Sequence, residues 1–170
     1  MDSPYLTIVV TARHDNYGGD YRDRVVGPMR FNYDRLVERG VPYEVILVEW
    51  DPVPDRPLLS ELLARELPDV TERVLTRIVV AREYQAAMAQ NPRIGYLEYV
   101  ARNVGIRRAT APFVLVTNVD ILLGREIIER IAERRLEASG DGWRPGFPRR
   151  PPKRLRHSAS SSASRASHSS

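Results

Sequence analysis

The chain contains no cysteine, which excludes disulfide frameworks, thiolate zinc sites and cysteine nucleophiles. Its three histidines, two of them among the last fourteen residues, are too few for a histidine-rich metal cage. Lysine occurs once against 25 arginines, a bias that GC-rich coding explains more simply than phosphate recognition. No apolar run approaches the roughly 18 residues that cross a bilayer. Met1 to Tyr5 carries an acid and a proline rather than a basic region before an apolar one, so no signal peptide is evident. The expectation is a cytoplasmic protein without a transmembrane segment.

With 170 residues, 42% of them hydrophobic, the chain has enough apolar material for one ordinary core. Its net charge of +4 divides unevenly. Residues 1–139 hold 19 Arg against 21 Asp and Glu, net −2, whereas residues 140–170 hold six Arg and one Lys against Asp141, net +6. Nucleic-acid-binding domains carry their excess charge on the folded body, so no nucleic-acid partner is expected. Residues 140–170 are dominated by Pro, Arg and Ser, with eight serines between Ser158 and Ser170. Such a composition cannot offset its ordering entropy by burial. A folded domain over 1–139 and a disordered basic tail over 140–170 are therefore expected.

Along the first part, short apolar runs alternate with helical spacing. Leu6 to Ala12 and Tyr43 to Val48 are β-branched runs of the kind buried on both sheet faces, and Arg77 to Ala81 and Phe113 to Thr117 resemble them. Met29, Tyr33, Leu36 and Val37 fall at helical spacing before the stop Gly40. Leu58 to Leu67 repeats as a helix face with Asp55 as its cap, and Tyr84 to Gly95 is a loop or short helix. Leu97 to Arg108 and Ile127 to Ile131 give two further helices. This alternation predicts an α/β fold, a mostly parallel sheet with helices on both faces. Ligands of such sheets bind outside the carboxyl ends of the strands, where strand order reverses. All four strands end in charged or polar residues at that edge: Arg13 to Asp15, Glu49 with Asp51, Arg82 with Glu83, and Asn118 with Asp120.

The common phosphate cradles are missing. Strand one leads to Arg-His-Asp-Asn-Tyr-Gly-Gly instead of G-x-G-x-x-G, and no G-x-x-x-x-G-K-[ST] occurs. A diphosphate at this edge then needs another neutralising charge, most simply a divalent cation, Mg2+ or Mn2+, on a strand-end carboxylate. Asp120 suits that role. Asn118, two residues earlier and expected on the same side of the strand, would offer its amide to a ribose or a metal-bound water.

These segments together resemble the GT-A-fold glycosyltransferases, particularly bacterial family 2-like members. Leu6 to Arg13 is similar to their first strand and YEVILVEWDP (Tyr43 to Pro52) to their second. Ala101-Arg102-Asn103-Val104-Gly105-Ile106-Arg107-Arg108-Ala109, followed by Pro112 to Asp120, resembles their helix and D-x-D strand. The resemblance spans residues 5 to about 135. It implies that Thr11 and Arg13 line the base and ribose pocket, that Glu49 or Asp51 contacts the nucleoside, and that Asp120 is the metal-binding second acid of D-x-D. It places Arg102 and Asn103 beside the donor, and puts Asn118 where the family carries its first Asp, keeping an oxygen acceptor. Glu98 and Arg102 also stand at the i,i+4 spacing of an ordinary surface pair.

The implied partner is a nucleotide-diphospho-sugar, with an unidentified acceptor. No catalytic base is nominated: inverting transfer needs a carboxylate within reach of the acceptor hydroxyl, and Asp141 is the only acid after Glu137. The alternative expectation is a truncated, non-catalytic GT-A-like fragment or binding module. A methyltransferase, whose second strand also ends in an acid, is disfavoured by the missing glycine-rich turn.

Overall fold

The central strand, β1 (Leu6–Ala12), is buried at every one of its seven positions. Only a strand flanked by two neighbours and covered on both faces can be so. In the computed structural model, which describes residues 3–15, 18–91 and 93–136, β1 pairs in parallel with β2 (Tyr43–Trp50) and with β4 (Phe113–Asn118). β3 (Leu75–Val80) adds in parallel beyond β2, giving the order β3-β2-β1-β4. The fold is thus α/β with an all-parallel four-stranded sheet, as the alternation of patterns predicts. The chain builds outward from β1 through β2 to β3, then returns to place β4 on β1's other side. The reversal point lies between the carboxyl ends of β1 and β4, where Thr11 pairs with Asn118.

One sheet face packs on α1 (Tyr21–Glu38), α2 (Leu59–Glu66) and α6 (Arg125–Ala132), around Leu6, Ile8 and Val10 of β1, Leu36 and Leu59. Fully burying each such side chain contributes about 1.5–3 kcal/mol. The buried stripe of α1 is Tyr21, Val25, Met29, Asn32, Tyr33 and Leu36. Val37, expected on that stripe, is 65% exposed, because its neighbour Leu36 already fills the core-facing position. Gly40 ends the helix as expected. Its φ of 62° lets the Gly40 N–H reach Val37 O and the Val41 N–H reach Leu36 O, a Schellman closure that satisfies two orphan carbonyls.

The opposite face is covered by α5 (Glu98–Ile106), with Ala101 against Val9, Ile46, Val48 and Trp50. A Cβ added to Gly105 would stand 2.4 Å from Val9 Cγ1, so the glycine is what lets the helix lie this close to β1. Two short helices, α3 (Pro68–Val74) and α4 (Arg82–Met88), flank β3. The first is absent from the sequence expectation; the second settles the loop-or-helix choice at Tyr84. The cap of α2 also differs from expectation. Asp55 has no place in it: Glu49 accepts the Leu59 and Ser60 N–H groups, and Glu61 accepts that of Leu58. Among the described residues no helix is long and apolar enough to cross a membrane. The tail expected over 140–170, and Asp141 within it, lie outside the described residues.

Candidate functional site

The parallel sheet brings the four polar strand ends to one edge, and the structure separates them into two groups. At the β1–β2 side the predicted nucleoside-contacting residues bind one another. Arg13 donates from Nε to Asp51 O (3.1 Å) and from Nη1 to Gly95 O (2.7 Å), and its Nη2 pairs with the Asp51 carboxylate at 3.2 Å. The other Asp51 oxygen accepts from Arg82 Nε at 3.0 Å. Asp51 is buried and holds φ +46°, a left-handed conformation that Asp tolerates better than most residues. Glu49, 3% exposed, accepts from the Ser60 hydroxyl (2.6 Å) and from the first amides of α2, where the helix dipole favours a carboxylate. The cavity beside these residues, lined by Ala12, Arg13, His14, Glu49 and Pro57 among others, measures about 10 Å³, room for roughly one water molecule. Here Arg13, Glu49 and Asp51 hold the strand-end loops together.

At the β1–β4 side the polar groups are less satisfied. The Thr11 hydroxyl, the Tyr21 and Tyr96 phenols and Arg102 Nε are each buried with no hydrogen-bond partner among the described residues. The Thr11 and Tyr96 hydroxyls lie close together yet short of hydrogen-bonding geometry. Burial pushes the Tyr96 phenol up to about 12. It raises Tyr21 further, with the nearby charges of Glu49 and Asp15 adding to the effect. Both phenols therefore stay protonated at neutral pH and act as donors. Tyr21 is stacked on the His14 ring, with centroids 4.4 Å apart, and His14 Nδ1 is 2.8 Å from Pro57 O.

The two β4 residues part company. Asn118 Oδ1 accepts from Arg102 Nη2 of α5 at 2.8 Å. Asp120 Oδ2 accepts from Arg24 Nη2 of α1 at 3.1 Å. Because α1 and α5 cover opposite faces of the sheet, Asn118 and Asp120 face different ways, against the expectation of a shared side. The reason is that β4 ends at Asn118 and a turn follows, closed by the Ile121 N–H on Asn118 O, so the two-residue strand alternation no longer holds. Asn32, buried in α1, fixes this turn: its Nδ2 donates to Ile121 O and its Oδ1 accepts from Leu123 N, both at 2.8 Å.

Arg102 is held in turn by Glu98 at 2.5 Å and lies over the Tyr99 ring at 5.8 Å. Asn103, next along α5 and placed beside the donor by the resemblance, is exposed; α5 presents Arg102 to the end of β4. Sequence reasoning missed Arg24, Tyr21, Tyr96 and Asn32. Tyr21 and Asn32 share the helical stripe of Met29 and Tyr33, which is the one signal that was available. Arg24 is indistinguishable in sequence from the other arginines.

The carboxylate assigned from sequence to Mg2+ or Mn2+ is that of Asp120, with Asn118 expected to offer its amide to a ribose or a metal-bound water. Each already accepts from a guanidinium, and no group of three or more His, Cys, Asp or Glu side chains gathers as a metal-binding set among the described residues. These residues do not fit a resident cation.

Comparison of the chain with protein-family models, with curated proteins and with solved structures returns no match.

Proposed function

We propose that this domain binds a nucleotide-diphospho-sugar in the crevice between β1 and β4, as the donor-holding part of a cytoplasmic glycosyltransferase. One observation carries the reading: Thr11, Tyr21, Tyr96 and Arg102 each bury a polar atom that has no hydrogen-bond partner among the described residues, and Thr11 stands on β1 where it pairs with Asn118 of β4. A buried donor or acceptor left unsatisfied costs about 1–3 kcal/mol. A ligand rich in hydroxyls and phosphate oxygens would relieve that cost, and crevices of this topology are where such ligands bind. The resemblance of Ala101 to Ile106 and of Pro112 to Asp120 to the GT-A helix and strand supports the sugar-nucleotide class.

The rim acids Glu49, Asp51 and Asp120 all carry protein partners. That observation favours a second reading, a module that binds the nucleotide but leaves acceptor deprotonation to another group. Calorimetric titration with UDP, GDP, ADP and dTDP tests the binding claim. The expected result is saturable binding of at least one of them, competed by its sugar ester and weakened by Tyr96→Phe. Absence of binding by all four, with and without Mn2+, removes the reading. Release of sugar from the bound ester, measured on the same protein, separates an enzyme from a module.

A further inference from the structure

We infer that the negative charge of the bound diphosphate is met by the guanidiniums of Arg24 and Arg102, one from each face of the sheet, in place of a divalent cation; this rests on the nucleotide-binding reading above. The two side chains come from α1 and α5, on opposite faces, and end on acceptors only two residues apart, Asp120 and Asn118. Two residues of chain span at most about 7 Å, so a guanidinium stands on either side of one short strand end.

The chemistry of each fits an anion. A guanidinium presents a planar fork of donors that matches phosphate oxygens, and it remains charged at any working pH. Arg102 is pre-positioned by Glu98, Asn118 and Tyr99 while its Nε has no partner among the described residues. Arg24 is held by Asp120 in a pair whose members are 36% and 35% exposed. Half-exposed pairs of this kind contribute little net stability, so a phosphate can displace the carboxylate and take over the guanidinium. Asp120 then competes with the phosphate for Arg24. Gly18 supports the arrangement: it holds φ +78°, and a Cβ there would overlap the Arg24 guanidinium. Arg24 also lies in the first turn of α1, an 18-residue helix whose N-cap residue, Asp20, makes no side-chain cap hydrogen bond. A cation on Asp120 would have to displace one fixed positive charge and sit beside another.

The test is titration of the best-bound nucleoside diphosphate, and of the matching nucleoside, in EDTA and in Mg2+ or Mn2+. Expected are affinities within about threefold of each other in the two conditions. Arg24→Ala and Arg102→Ala should each weaken diphosphate binding at least about tenfold and nucleoside binding less than that, with Arg24→Lys and Arg102→Lys intermediate. Asp120→Asn should tighten diphosphate binding in EDTA, by up to about fivefold. Binding that disappears in EDTA and is lost in Asp120→Asn overturns the guanidinium assignment while keeping the nucleotide reading. Arginine variants that bind diphosphate like the wild type overturn it as well. Failure of every nucleotide in both conditions overturns the nucleotide reading and this inference with it.

Discussion

Single side chains bind together parts of the chain that lie far apart in sequence. Glu44, near the start of β2, accepts from the Thr7 hydroxyl and from the Thr110 hydroxyl and amide, tying three segments at the amino ends of the strands. Burial alone would raise its carboxyl, but these hydrogen bonds outweigh burial and hold it below the ordinary value of 4.5. A carboxyl depressed in the folded state adds stability above its unfolded value and loses it as pH falls through the folded one. Glu44→Gln is therefore expected to cost about 1–2 kcal/mol at neutral pH, by denaturant titration, with the difference from wild type shrinking below about pH 4.5. Asn32 is a second such tie. Asn32→Ala leaves Ile121 O and Leu123 N without their partner and should cost about 1–3 kcal/mol. The same titration measures it, and Asn32→Asp should recover less than half, because a carboxylate cannot donate to Ile121 O.

At the scale of elements, the α5–sheet contact decides where Arg102 stands. Gly105→Ala sets two effects against each other. Alanine gains up to about 1 kcal/mol of helix propensity, but its methyl collides with Val9 on a strand that is buried throughout. Overpacking of that kind costs about 1–3 kcal/mol, so net destabilisation is expected, seen as a lowered melting temperature. Elements were legible where one signal dominated. The β1, β2 and β4 runs are apolar enough to be buried from either side, and Gly40 marks a helix end by its own conformational freedom. The helix α3 was hidden because it fills the whole interval between α2 and β3, with Leu67 as the single residue between the two helices and no loop to announce it. Asp55 looked like a cap by position, yet Glu49 reached the same amides from ten residues upstream, a distance no local pattern encodes.

Across the whole molecule, the alternation of patterns was sufficient for the α/β class and for the edge on which polar residues gather. It was insufficient for which of those residues face the crevice. Arg13, Glu49 and Asp51 sit where the pattern put them, but Arg13 closes on Asp51 and Glu49 on Ser60 and the first amides of α2. Arg24 and Asp120, 96 residues apart, meet only because α1 lies over the sheet beside the β4 turn. Asn118 and Asp120 were expected side by side on an assumption of continued strand geometry that the turn at Ile121 breaks.

The strand order has a consequence for how the domain assembles. Phe113 to Asn118 pairs with β1 across the 100 residues that separate the two strands, a non-local contact that costs loop-closure entropy and slows folding. If a nucleotide binds between β1 and β4 as proposed, it holds β4 to the rest of the sheet, and amide exchange along Phe113 to Asn118 should slow more on its binding than exchange along β2.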